Sequence, residues 1–329
     1  MDEQIRRVVH CHCDHFEPYG RPENGSEAVE RWATGASKLW YFKNASLFHI
    51  SRVLLSDHYN HQSHWLYTGL AAEERGMLVN LQDLGFDIQF HVHHEKWRDG
   101  MPLDSERLKC YLDVLVTYMS GILGRDFRKE PWFFVHGCWA LNASDEDICL
   151  IDDEIQRLLD ANCLGDFSFP AGRGWCNPTN IFSPFTVIPH TAPAAYDTPE
   201  AQPRIIGTDP NAFEPGRFLI WHQPIPYIHA SLDLVGIGDV TPEQALVTWL
   251  SSKPIGDTIY IKTHAHSMAY DYFSPDHPYL PLPENDAIAR LFGGLEEECG
   301  RRNIQLESVS ARSLYDEMRR LDEETSKVR

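Results

Sequence analysis

Short apolar runs that end in histidines or carboxylates recur along this chain, and stretches with helical spacing lie between them. The runs end in His10-Cys11-His12-Cys13-Asp14-His15, His91-Val92-His93-His94-Glu95, His136-Gly137, Asp166 and His264-Ala265-His266. An apolar run bounded by turn residues reads as a buried strand. Strands alternating with helices imply a parallel sheet, because parallel neighbours need a crossover that a helix supplies. Polar side chains delivered where strand after strand runs out are how barrel enzymes assemble a site. The expected fold class is therefore α/β, with a parallel sheet open or closed into a barrel.

The periodicity predicts strands over 6–13, 86–92, 132–135, 163–169, 218–221 and 258–263. Helices are predicted over 26–41, with Ser26 as N-cap, along Leu108, Leu112, Leu115, Met119 and Ile122 after Asp104, and over 145–162, 241–251, 285–302 and 310–320. Residues 177–226 are rich in proline and poor in periodicity, which predicts a long excursion over the mouth of one domain covering 1–329.

At 329 residues, 43% hydrophobic and 12% aromatic, the chain can bury a full core. Its net charge of −19 argues against a nucleic-acid groove or an anionic membrane surface, which need clustered Lys and Arg, and favours a small neutral or cationic substrate. No run reaches the roughly 18 apolar residues of a membrane span, and Met1 to Arg7 lacks the apolar core of a signal peptide, so a cytoplasmic protein is expected. The eight cysteines are scattered without a paired C-x-x-C array, and reduced core thiols are expected. Oligomeric state is not legible.

If residues 8–14 are extended, His10, His12 and Asp14 share one face, with Cys11 and Cys13 on the other. Lys262, His264 and His266 alternate in the same way near the C-terminus. Rows of polar groups like these are costly in a core unless they bind one another or a metal. His91 to Glu95 is the strongest ligand signal: imidazoles and a carboxylate, with no thiolate nearby in the sequence, suit zinc, iron, manganese or nickel. A helical turn would stack His91 over Glu95, whereas extended chain would put His91 beside His93. His58, His61 and His64 form a further spaced set in a polar loop.

The order of these segments resembles the polysaccharide deacetylases, a carbohydrate-esterase superfamily. The resemblance spans roughly residues 5 to 310 and looks closest to a branch marked by Asp14-His15-Phe16-Glu17-Pro18 and Phe134-Val135-His136-Gly137. It implies a distorted parallel (β/α) barrel of the glycoside hydrolase/deacetylase type and a metal-dependent hydrolase that cleaves an N- or O-acetyl group. It also implies one divalent ion, zinc foremost with iron, cobalt, manganese and nickel as alternatives. On the matching positions Asp14 is the base, His15, His91 and Glu95 hold the metal, and His264 is the acid. The family's paired aspartates become Asp14-His15, and its second histidine becomes Glu95, so the ligand set still has two imidazoles and one carboxylate. His12, Asp14 and His93 are the candidates to replace a ligand. His136, Trp139, Asp166 and Lys262 stand where substrate contacts are implied, with Lys262 a candidate oxyanion donor and Asp166 a candidate partner for His264. The family's groove-wall arginine and proline have no match here. Trp139, Trp175, Trp221 and Tyr227 are candidate platforms for a small-molecule or glycan substrate.

Two other readings stay open. A phosphoesterase or amidohydrolase would use His10-x-His12 as a first-strand ligand pair, with His264 or His266 later. A catalytically silent carbohydrate-binding barrel would keep the groove without the chemistry.

Overall fold

The computed structural model describes residues 5–16, 26–38, 44–50, 53–54, 66–67, 71–96, 104–191, 196–223, 225–234, 240–267 and 287–328. In chain order the regular elements are β1 (Arg7–Phe16), α1 (Ser26–Ala36), β2 (Ser46–Ile50), β3 (Val53–Leu54), β4 (Leu66–Tyr67), α2 (Ala71–Asp83), β5 (Asp87–Val92), α3 (Ser105–Leu123), β6 (Trp132–His136), α4 (Glu154–Asp160), β7 (Cys163–Asp166), β8 (Phe185–Val187), β9 (Arg204–Ile205), β10 (Phe218–Ile220), α5 (Tyr227–Ala230), α6 (Pro242–Leu250), β11 (Thr258–Ala265), α7 (Ala287–Arg301), β12 (Gln305–Val309) and α8 (Ala311–Val328). His58, His61 and His64 lie outside the described residues. The chain divides into two compact units, one made of Met1–His49, Leu81–Ile88 and Gln223–Leu321, the other of Ile50–Asn80, Gln89–His222 and Asp322–Arg329.

In the first unit β1 is the organising strand. One edge bonds β11 in parallel from Arg7↔Thr258 to Asp14↔Ala265. Its other edge takes β12 along Arg7 to Cys11 and then β2 along Cys13 to Phe16, both parallel. A strand with neighbours on both edges and helices over it must bury both faces, and residues 8–16 of β1 are all buried. The face carrying His10 lies under α6 and α7: the imidazole stacks on Trp249 at 5.7 Å and tilts against Phe292 at 5.1 Å. Helix α6 starts where Thr241 and Gln244 form a reciprocal capping box with Pro242 in the first turn.

Burial, and then the neighbouring His12, push the His10 imidazole well below the usual histidine range. Burial and then Lys262 do the same to His264. Both stay neutral when folded, while the unfolded chain takes up protons as pH falls through about 6.5. The free energy of unfolding should therefore fall as pH drops below about 6.5. His10→Leu should flatten part of that decline in urea titrations, and an unchanged slope would contradict the assignment.

In the second unit β5, β6 and β7 run parallel, through Phe90↔Phe134 and Phe133↔Gly165. β10 is parallel to β7, β8 pairs β10 antiparallel, and β9 pairs β8 antiparallel. Gly165 is required at the β7–β10 approach, because a Cβ there would lie 2.9 Å from the Leu219 Cβ. The sequence Trp132-Phe133-Phe134-Val135-His136 is buried throughout, as expected of a central parallel strand. Helix α3 keeps its expected face, with Leu108, Leu112, Leu115, Met119 and Ile122 buried, Asp104 capping its start and Gly124 in the left-handed region ending it. β3 and β4 form a separate antiparallel pair. The proline-rich stretch 177–226 carries β8, β9 and β10.

The expected helix over 145–162 shrinks to Glu154–Asp160. Asp145 instead closes a turn, its carboxylate accepting from the Asp147 N–H and its carbonyl from the N–H groups of Ile148 and Cys149. Local side-chain bonding of this kind competes with helix, and here it turns Cys149 and Ile151 into the core. Among the described residues neither unit's strand path closes on itself, so the expected closed barrel gives way to a mixed α/β architecture with a mostly parallel sheet. None of the eight cysteines forms a disulfide, and six are buried.

Candidate functional site

At the end of β5 the chain is neither helical nor in register with a neighbour, and His91 and His93 turn toward each other, which decides for the extended alternative. His91 Nδ1 lies 3.0 Å from the Val135 carbonyl oxygen, so it carries the proton and donates it. His93 Nδ1 lies 2.5 Å from Glu95 Oε1 and donates in the same way. Both imidazoles are thereby fixed in the tautomer whose Nε2 bears a lone pair, and the two Nε2 atoms stand 2.8 Å apart. Two lone pairs facing at that distance repel unless a proton or a cation is shared between them. Cys138 donates its thiol to Glu95 Oε1 at 3.2 Å, so a thiol does reach the cluster, from the segment that follows β6. Burial alone would raise the Glu95 carboxyl, but the hydrogen bond and charge of His93 hold it well below the usual carboxylate range. His93, Glu95 and Cys138 each bring a ligand atom within 4.8 Å of the others.

The backbone beyond β6 serves this arrangement. Cys138, Trp139, Asn142 and Ala143 all have φ between +51° and +60°, the left-handed region that L side chains avoid. Gly137 packs flush on His93, where a Cβ would sit 2.5 Å from Nδ1 and 2.9 Å from the His93 Cα. Trp139 is half-buried on this loop.

A second group lies behind the first. His94, His136, Cys149 and Glu154 are all fully buried, with ligand atoms within 4.8 Å of one another. The Lys96 N–H bonds the Ile148 carbonyl and so seats the Cys149 turn against His94. Burial would push the His94 imidazole down, but the Glu154 carboxylate raises it well above its ordinary value. Burial would likewise raise the Cys149 thiol, and the charge of His94 brings it down to about 6. Glu154 resists burial because His136 and His94 stabilise its anion.

His136 and Asp166, expected on the substrate, are both buried and joined through Ser168: its hydroxyl accepts from the His136 N–H at 2.8 Å and donates to Asp166 Oδ1 at 2.6 Å. Ser168→Ala should leave both without that partner and destabilise by about 1–3 kcal/mol, read from the urea midpoint; an unchanged midpoint would deny the link. Trp221 is fully buried and stacked on Phe167, so it belongs to the core and not to a platform. Trp175 is 65% exposed, its indole donating to Asp145.

In the first unit, β1 and β11 place their polar residues on two faces. His12 shares one with Asp14, whose Oδ2 is 3.3 Å from His12 Nε2, while Thr263 receives both His10 and His12. On the other face His15 stacks on His264 at 5.3 Å. Asp14 and His264 therefore project from opposite faces, which divides the base and the acid that the resemblance pairs. Asp233, unnoticed in the sequence, accepts from His266 Nδ1 at 2.6 Å, and His266 Nε2 is 3.2 Å from His15 Nδ1. With Asp233 as acceptor, His266 Nε2 takes the His15 proton and leaves His15 with its lone pair on Nε2. His264 Nε2 is 3.3 Å from the half-buried Tyr227 hydroxyl, and the buried Lys262 lends it a neighbouring positive charge. His10 and His12 are held by Thr263 and the aromatic pair, which is a core arrangement and not an open ligand pair.

His93 was a candidate to replace a ligand, whereas His94, Cys138, Cys149, Glu154 and Asp233 were not read as site residues from the sequence. His93 and His94 sat inside the recognised cluster. Cys138 was visible only as a residue after a strand and Glu154 only as a position inside the expected 145–162 helix, and nothing in the sequence couples them to position 94 or 95. The expected ligands His15, His91 and Glu95 come from different units; within the second, His91 and Glu95 are brought together through His93.

No protein-family model matches this chain, and no curated protein matches it. Among solved structures, the chain is similar to a mutant of a CE4 family pseudoenzyme with restored enzymatic activity, at 8% identity and a TM-score of 0.38, covering 93% of this chain and 67% of that one. Among the described residues no helix is long and apolar enough to cross a membrane.

Proposed function

We propose that the chain is a metal-dependent hydrolase that removes an acetyl group from an N- or O-acetylated glycan or small sugar. The observation that carries this reading is the pair of imidazoles at the end of β5, each with Nδ1 tied to an acceptor and Nε2 turned to a common point. Metal-ligating histidines have this habit, donating the far N–H to a carbonyl or carboxylate. Glu95 orients His93 from the Nδ1 side, opposite the common point, as a carboxylate behind a metal-bound imidazole does. The imidazole donors of His91 and His93 suit a divalent ion, zinc first, with iron, cobalt, manganese and nickel as alternatives.

When bound, such an ion supplies a water of lowered pKa and polarises the scissile carbonyl. The chain does the rest. Glu95 keeps His93 in one tautomer, and Val135 does so for His91. In the first unit Asp233 orients His266 toward His15, a chain that can hold a proton, and His264 contacts the Tyr227 hydroxyl. The half-buried Trp139, in the same unit as His91 and His93, is the proposed sugar platform. Asp14 is assigned to holding His12, in place of the base role.

Acetate release from a panel of N- and O-acetylated hexosamine conjugates tests the reading. Metal-dependent release, lost on chelation and restored by zinc, is expected. Binding of the same sugars with no turnover under any metal would replace the hydrolase with a silent glycan binder.

A further inference from the structure

We propose that His94, His136, Cys149 and Glu154 form a second metal site, a closed structural one that takes zinc(II) and is independent of the reaction proposed above. Each of the four is fully buried, and each presents one donor atom to the same small volume.

Three features favour an ion over a self-sufficient polar cluster. The first is misdirected contact: His94 Nε2 lies 3.0 Å from Glu154 Oε1, yet both atoms lack a hydrogen-bond partner, as do His94 Nδ1 and His136 Nε2. Atoms within hydrogen-bond distance but not aimed at one another converge on a shared point, as ligands of one ion do. The alternative, several unsatisfied buried polar atoms in one place, would cost about 1–3 kcal/mol each.

The second feature is how the far sides are tied. His136 Nδ1 contacts the Gly137 carbonyl, which fixes its proton there and leaves the lone pair on Nε2. Glu154 Oε2 accepts the Asn142 N–H at 2.6 Å, so the carboxylate is anchored by one oxygen while Oε1 turns to His94. The Ile151 N–H lies 3.5 Å from Cys149 Sγ and favours the thiolate. Three of the four ligands, His136, Glu154 and Cys149, thus have their own support, from the loop after β6 and from the turn.

The third feature is the donor chemistry. Two imidazoles, one thiolate and one carboxylate make a four-donor set of the kind zinc prefers, and full burial leaves no open position for substrate, which separates a structural from a catalytic ion. The site would clamp β6, the 145–151 turn and the first residue of α4 to the segment that also presents His93 and Glu95.

The test is metal stoichiometry on the full chain reconstituted with zinc, followed by cobalt(II) substitution. Two equivalents are expected in the native protein, one of them resistant to brief chelation. His91→Ala should retain one tightly held equivalent, since it removes a ligand of the other site only. The cobalt protein should show a thiolate-to-metal charge-transfer band that disappears in Cys149→Ala and survives in Cys138→Ala. Should Cys149→Ala not fold, the His91→Ala count decides alone. A His91→Ala protein holding no ion, or a charge-transfer band that follows Cys138, overturns the proposal. A retained ion in His91→Ala with no acetate release by the native enzyme keeps this site and sinks only the hydrolase reading.

Discussion

His91→Ala is expected to lose one equivalent of metal and to lower acetate release by about 10³-fold or more, since a bound ion supplies several kcal/mol of charge stabilisation and each 1.4 kcal/mol is tenfold in rate. The same change removes the donor to the Val135 carbonyl, a neutral bond worth about 1 kcal/mol. Stability should therefore fall far less than turnover does. Metal analysis of the dialysed variant beside its urea midpoint separates the two effects. Full occupancy with native turnover would remove His91 from the site.

Gly137→Ala is expected to damage the same centre without replacing a ligand. The new Cβ would stand 2.6 Å from His93 Cγ and 2.9 Å from His93 Cα, so rotating the ring cannot relieve the clash and the backbone of one segment must move. Overpacking of this kind costs about 1–3 kcal/mol. It also pulls His93 off Glu95, and losing such an orienting contact weakens metal binding by about 10–100-fold. Zinc titration of the variant, with Gly121→Ala as a control where a Cβ meets open space, reads both effects. Native affinity in Gly137→Ala would mean that His93 is not held by this packing.

Much of the architecture was legible because period and capping are local properties. The spacing from Leu108 to Ile122 makes one apolar stripe whatever the rest of the chain does, and Thr241-Pro242 with Gln244 starts a helix on its own. Alternation along β1 likewise predicted that His10, His12 and Asp14 face away from Cys11 and Cys13. Helix 145–162 failed because one aspartate closed a turn that propensity could not anticipate. Barrel closure was not legible either: β11 and β12 do pair with β1, but the strand path runs out at its other end on the antiparallel strands β8 and β9.

The chemistry divides the same way. Which residues carry lone pairs at strand ends was written in the chain, since His91, His93, Glu95, His136 and His264 each follow an apolar run. Their partners were not. Cys138, Cys149 and Glu154 reach the histidines only through a left-handed loop and a turned segment, and Asp233 reaches His266 from a different element. Residue type and spacing determine what a side chain can do by itself. Tautomer, pairing and coordination depend on what lies within about 3 Å across the fold, a distance that only packing sets.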